Sequence, residues 1–184
     1  MAFSITTFQS HLSGGGARPS LFSFELSGPP SGGTAGGLGD VSFFCTVSEL
    51  PGLTITPIER FYYGRTVKIP GDMVFADLTT TIINDEDMKA RVQIEKWMAG
   101  MNSHETNVRA FSAHMGAEGA TAKLHQYGKK PDSVSEQGTT PKLTTIEFVG
   151  IFPSTLSEIA LSYDTASDIE QYDVTWSYQY WKTV

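Results

Sequence analysis

The sequence is poor in charge, holds one cysteine and contains no long apolar run, and each shortage removes a class of protein. With only Cys45, an intrachain disulfide framework and a multi-cysteine metal site are both excluded. Cys45 lies in an apolar stretch and reads as a small core residue. No segment approaches the roughly 20 apolar residues of a membrane helix. The opening MAFSITTFQSHL has no basic region followed by an apolar run. A soluble chain without a cleaved signal, held before any assembly in the cytosol of whatever cell makes it, is the expectation. Charged residues make up 18%, with 13 Lys and Arg against 20 Asp and Glu, a net charge of −7. The nearest thing to a basic cluster is Lys129-Lys130, which reads as a solvated loop. A grip on nucleic acid or anionic membrane is disfavoured.

Catalytic and cofactor patterns are missing as well. None of His11, His104, His114 and His125 stands in a nucleophile elbow or a zinc motif, and His104 and His114 are too far apart to share one helical face. Gly14-Gly15-Gly16 lacks the Lys-Ser/Thr of a phosphate loop, and the glycines of 27–40 lack the flanking strand and helix of a dinucleotide fingerprint. Asp164 to Asp168 lacks the glycine and terminal glutamate of a calcium loop. The acidic pairs sit in caps and turns. No enzyme, cofactor or metal is expected.

What remains is β-rich. The 184 residues suit one domain with a real core, and 18 glycines, abundant Ser and Thr and 11% aromatics point to strands and turns. The best-defined stretch is Thr66–Trp97. A strand ending near Ile69, a Pro70-Gly71-Asp72 turn and a second strand from Val74 to Ile83 lead to an acidic cap at Asn84-Asp85-Glu86-Asp87. A helix to Met98 follows, with Met88, Val92, Ile94, Trp97 and Met98 on one apolar face and Gly100 placed to stop it.

Around this unit, residues 1–16 read as a flexible arm and 27–40 as a Gly/Pro-rich loop. That loop would join strands Leu21–Leu26 and Val41–Val47 into a long-tipped hairpin. Ile55–Tyr63, interrupted by Pro57, fits an edge or a protrusion. Strands are also expected at Thr121–Tyr127, from Leu143 to a strand end and corner at Gly150–Ser154 with a short helical turn over Ser154–Ser157, and from Tyr172 to Trp181. There Tyr172, Val174, Trp176, Tyr178 and Tyr180 alternate with polar residues. Seven or eight strands and one main helix make a mainly β fold: an antiparallel β-sandwich or barrel with one flanking α-helix.

Three collinear blocks resemble the tail tube protein family of contractile-tailed bacteriophages. They are Ala17-Arg18-Pro19-Ser20-Leu21-Phe22, the Thr66–Trp97 stretch with its Gly71-Asp72, Asn84-Asp85-Glu86 cap and helix, and Gly150-Ile151-Phe152-Pro153-Ser154 with Ile159, Leu161 and Tyr163, closing on Tyr180-Trp181. Glu49-Leu50-Pro51-Gly52 fits the same family's turn. Segments 27–40 and 102–120 depart from its pattern.

The resemblance implies a structural virion protein: one domain over 1–184 forming homohexameric rings that stack into the inner tail tube. The tube conducts DNA during ejection, and it is assembled in the host bacterial cytoplasm. About 24 strands spaced ~4.8 Å apart and tilted ~40° close a circle roughly 48 Å across, leaving a bore of about 35 to 40 Å for a duplex about 20 Å wide. An acidic wall would let DNA pass without holding it.

The implied partners are further copies, the tail sheath protein, and the tape-measure and baseplate proteins, with no membrane and no specific DNA site. Residues assigned on this basis to the inner barrel are Thr66, Lys68, Val74, Ala76, Leu78, Thr80 and Ile82. Those assigned to ring stacking or subunit contacts are Phe3, Ile5, Phe8, Ile58, Arg60, Tyr62, Tyr63 and Arg65. Asp85, Glu86, Lys89 and Lys96 belong to the outer helix. The competing readings are a baseplate tube initiator, the tube subunit of a type VI secretion or phage-derived injection device, and a monomeric β-sandwich binding module.

Overall fold

A computed structural model describes residues 4–12, 16–27, 38–108, 120–129, 142–164 and 168–184. In chain order the elements are α1 (Ile5–His11), β1 (Phe22–Ser27), α2 (Leu38–Phe44), β2 (Cys45–Ser48), β3 (Leu53–Tyr62), β4 (Arg65–Phe75) and β5 (Leu78–Ile83). They continue with α3 (Lys89–Met101), β6 (Thr121–Tyr127), β7 (Lys142–Val149), β8 (Phe152–Leu156), β9 (Gln171–Ser177) and β10 (Tyr180–Thr183). Two four-stranded antiparallel sheets, ordered β1-β6-β7-β10 and β2-β5-β9-β8, form a sandwich, and β3-β4 forms a separate two-stranded ribbon.

Period-2 alternation builds the core. Phe24 and Leu26 of β1, Leu124 of β6 and Phe148 of β7 meet Leu78, Ile82, Tyr172, Val174 and Trp176 of the opposite sheet. Trp176 is the centre. Its ring lies 6.2 Å from Phe24 and 5.9 Å from Trp97, and its Nε1 donates to Thr80 Oγ1 at 2.8 Å. The bond satisfies two buried polar groups at once, which an apolar core otherwise penalises. Helices α2 and α3 pack on each other, and α2 also reaches β1 and β5 while α3 reaches β8.

Several expectations need correction. Pro70-Gly71-Asp72 is not a turn. β4 runs straight through it, and Gly71 and Asp72 together face Thr56 as a β-bulge between the Ile55↔Met73 and Pro57↔Pro70 pairs. A Cβ on Gly71 would lie 2.4 Å from Thr56 O, so the close approach of the two backbones, not a chain reversal, is what requires glycine there. The strand expected over Val74–Ile83 is broken at Ala76-Asp77, where the chain leaves the ribbon for the sheet.

The acidic cap is absent too. The helix begins at Lys89 with Met88 at its N-cap in left-handed conformation (φ 51°) and no side-chain cap bond. Asn84 instead donates from Nδ2 to Glu170 Oε2 at 3.0 Å, and Asp85 O accepts from Met88 N in a turn ahead of the helix. Ile94 and Trp97 of the expected face are buried with Ala90 and Met98 packs partly against the core, but Met88 and Val92 are exposed. Gly100 lies inside the last turn.

Val41–Phe44 is helical rather than extended because Val41 is fully buried in a helix that packs on β1 and α3. β1 pairs with β6 and β2 with β5, so no hairpin joins β1 to β2. Residues 28–37 of the expected loop lie outside the described residues. The arm contains α1, whose Ser4 side chain caps Thr7 N. Ser154–Leu156 is strand, with Ser154 Oγ bonded to Thr175 O. The last expected strand is two, β9 and β10, on different sheets.

Candidate assembly surfaces

Three surfaces stand open among the described residues. The first is the ribbon. It turns through Tyr63 (φ 45°) and Gly64 (φ 75°), the two positive φ values of a type I′ hairpin turn, with the Tyr62 and Tyr63 rings edge to face at 4.8 Å. Every residue of β3 is exposed, and all of β4 except Gly71 and Phe75. Register and alternation give it two unlike faces. One carries Ile58, Arg60 and Tyr62 beside Ile69, Val67 and Arg65, and the other carries Pro57, Glu59 and Phe61 beside Pro70, Lys68 and Thr66. On the second face Glu59 and Lys68 pair at 3.4 Å. Arg60 and Arg65 enter no ion pair among the described residues.

Among the described residues the ribbon is held at its root. Tyr178 Oη donates to Ala76 O, and Ser177 Oγ donates to Asp77 Oδ1 at 2.9 Å. The Phe75, Tyr178 and Phe148 rings step inward at 6.4 and 4.9 Å. Burial, and then the charge of Asp77, push the Tyr178 phenol above its ordinary pKa, keeping it protonated as a donor.

The second surface is the open face of the β2-β5-β9-β8 sheet. Its four strands read CTVS, LTTTII, FPSTL and QYDVTWS, with no lysine or arginine and Asp173 as their one charge. Thr79 stands opposite Thr175, and Thr81 opposite Asp173, where Thr81 Oγ1 donates to Asp173 Oδ1 at 2.7 Å. The other sheet differs: Glu25, Lys123, Glu147 and Lys182 lie in one row of alternating sign across its four strands. Lys182 Nζ sits 2.9 Å from Glu147, which lowers the carboxyl pKa and raises that of the ammonium. On the same side buried His125 bonds Thr145 Oγ1 through Nδ1 at 2.8 Å and faces Glu25 at 3.4 Å.

The third surface is a groove of about 430 Å³ before β9, lined by Leu161, Tyr163, Asp168 and Glu170 among others, with Leu161, Tyr163 and Ile169 exposed. Nothing in the sequence pattern marks it, because Leu161 and Tyr163 alternate as strand residues do, yet lie in irregular chain. The root residues Asp77 and Tyr178 are likewise invisible until the fold joins them.

The residues singled out from sequence fall in separate places. Thr66, Lys68 and Val74 stand on the ribbon and Ala76 at its root, while Leu78, Thr80 and Ile82 point into the core; they do not form one wall. The open face of β5 is Thr79, Thr81 and Ile83. Ile58, Arg60, Tyr62, Tyr63 and Arg65 gather at the ribbon's outer half. Ile5 and Phe8 are exposed on α1, and Phe3 lies outside the described residues. Asp85 and Glu86 precede α3, whose Lys89 meets Asp87 at 2.5 Å, and Lys96 is exposed. Among the described residues no three His, Cys, Asp or Glu side chains gather to hold a metal, and no helix is long and apolar enough to cross a membrane.

The geometry is that of a two-sheet antiparallel body carrying an exposed two-stranded ribbon. The family model described as phage tail tube protein matches residues 17–184, so the chain belongs to the phage tail tube protein family and is a structural tube subunit. It is 30% identical over 173 residues to "Tail tube protein gp19" of Enterobacteria phage T4, spanning 92% of this chain and 93% of that one. The protein of the same description from Enterobacteria phage T6 is 29% identical over the same spans. The fold is shared with a chain of an extracellular contractile injection system, the PVC sheath–tube complex in its extended state (TM-score 0.60, 13% identity, 100% and 99% covered). It is shared also with a chain of the anti-feeding prophage baseplate (TM-score 0.60, 8% identity, 91% and 95% covered).

Proposed function

We propose that this chain, as a single domain, closes homohexameric rings through the β2-β5-β9-β8 sheet. The rings stack into a tail tube whose bore is lined by that sheet's open face, and DNA passes through it without being bound. The observation that carries this reading is the absence of lysine and arginine from all four strands. A phosphate backbone finds hydroxyls and Asp173 there and no counter-charge to release ions against. Strand direction supports ring closure. All neighbours in this sheet are antiparallel, so with four strands its edges β2 and β8 run oppositely. Joining β8 of one copy to β2 of the next continues the antiparallel alternation around a ring and removes both edges.

The charged outer row would then face the sheath, and the tube would end on baseplate proteins, with assembly in the bacterial cytoplasm and residence in the virion. The role is structural and needs no catalysis. The test is purified protein viewed by negative-stain microscopy and mixed with duplex DNA at moderate salt. Hollow tubes that do not retain DNA are expected. Monomers alone, or tight salt-sensitive retention, would refute the inert conduit.

A further inference from the structure

Resting on that tube reading, we propose that successive rings are joined by the ribbon's arginine-bearing face seating in the acidic, apolar groove of a second copy of this chain. The ribbon's edges are closed to added strands at mid-length. Counting pairs outward from the two-residue turn, Pro57↔Pro70 falls at a non-hydrogen-bonded position. The missing N–H of each proline would therefore have pointed away from the ribbon, and a strand added to either edge loses its donor at that level. Docking is left to the faces.

The two faces are not equivalent partners. Glu59–Lys68 neutralises one, while the other presents Ile58, Tyr62, Val67 and Ile69 around Arg60 and Arg65. Its complement is present in the same chain. The groove sets exposed Leu161 and Tyr163 beside Asp168 and Glu170, and Asp85 and Glu86 leave the sheet at the same end.

Position makes the match a head-to-tail one. The ribbon departs from the end of the sheet marked by Leu78 and Ser177, where Asp77 and Tyr178 hold its root. The groove lies at the opposite end, where Ile83 pairs with Gln171 and Asn84 N bonds Glu170 O at 2.8 Å. About 20 Å of strand separates the two ends. A copy stacked along the strands therefore brings its cationic ribbon toward the acidic end of its neighbour. The contact is heterologous and repeats without closing, as a filament requires.

The test uses two full-length chains, one carrying Arg60→Glu with Arg65→Glu and the other Asp168→Lys, each checked for folding by circular dichroism. Alone, each should lose tubes and stop at rings in negative stain. Mixed, the reversed ribbon meets the reversed groove and the native ribbon meets the native groove, so tubes should return. Wild-type-length tubes from either variant alone, or no recovery on mixing, would overturn the pairing. A wild-type sample without tubes would instead count against the tube reading itself.

Discussion

Strands β4 and β5 are separated by two residues and have similar apolar content, yet they have opposite fates. β4 exposes nearly every side chain to solvent, while β5 alternates buried and open, with Leu78, Thr80 and Ile82 in the core. The difference lies in what each can pair with. β5 sits between β2 and β9 and has a second sheet across from it, whereas among the described residues β4 pairs with β3 alone. A lone two-stranded ribbon buries too little to be stable by itself. Its ten-residue β3 and its exposed Ile55, Ile58, Phe61, Ile69 and Met73 make sense as surface kept for another chain. One half of the molecule is finished within the monomer, and the other is the surface that the proposed assembly would cover.

The contrast breaks most severely at the body. Trp176→Ala removes the ring that joins both sheets to α3 and orphans Thr80 Oγ1. A loss of about 3–5 kcal/mol is expected, read as a large drop in the urea midpoint. A loss under about 1 kcal/mol would mean that the core is not organised on Trp176.

Gly71→Val should do the converse. Its Cβ meets Thr56 O and Ile58 Cγ1, so the bulge shifts at a local cost of about 1–3 kcal/mol. The stability of the body, read from its urea transition, should stay within about 0.5 kcal/mol of wild type. In NMR spectra the cross-strand contacts of Ile58 with Ile69 should vanish while those of Leu78 with Trp176 persist. Loss of both sets together would show that ribbon and body fold as one unit.

This division also explains what could be read from the sequence. β6, β7 and β9 were legible because one face is buried and period-2 alternation records it. The protrusion of the ribbon was legible from Pro57. The bulge was not, because Pro-Gly-Asp is turn chemistry, and only the register across from Thr56 shows it as a bulge within a continuous strand. The start of α3 was hidden for a related reason: Asn84 and Asp85 are good caps, but the long-range bond of Asn84 to Glu170 outweighs a local cap. For Leu78, Thr80 and Ile82, alternation reports that the strand has two faces, and tertiary packing decides that theirs is inside. The acidic groove leaves no periodic trace.

The smallest expected effect tests the joint between the two regions. Tyr178→Phe keeps the ring against Phe148 and Phe75 but removes the hydroxyl that donates to Ala76 O, a net loss of about 1 kcal/mol. The same bond carries a pH signature. Burial raises the folded-state phenol pKa above its ordinary value near 10. The stabilisation is therefore fully present below that unfolded value and fades as pH rises through the folded one. The difference between wild type and Tyr178→Phe in urea midpoint should be constant from neutral pH to about 10 and shrink above it. Other tyrosines and lysines titrate in both proteins and cancel in the difference. A difference that stays flat through that range would mean the hydroxyl does not hold the root, leaving the aromatic step from Phe75 to Phe148 to aim the ribbon alone.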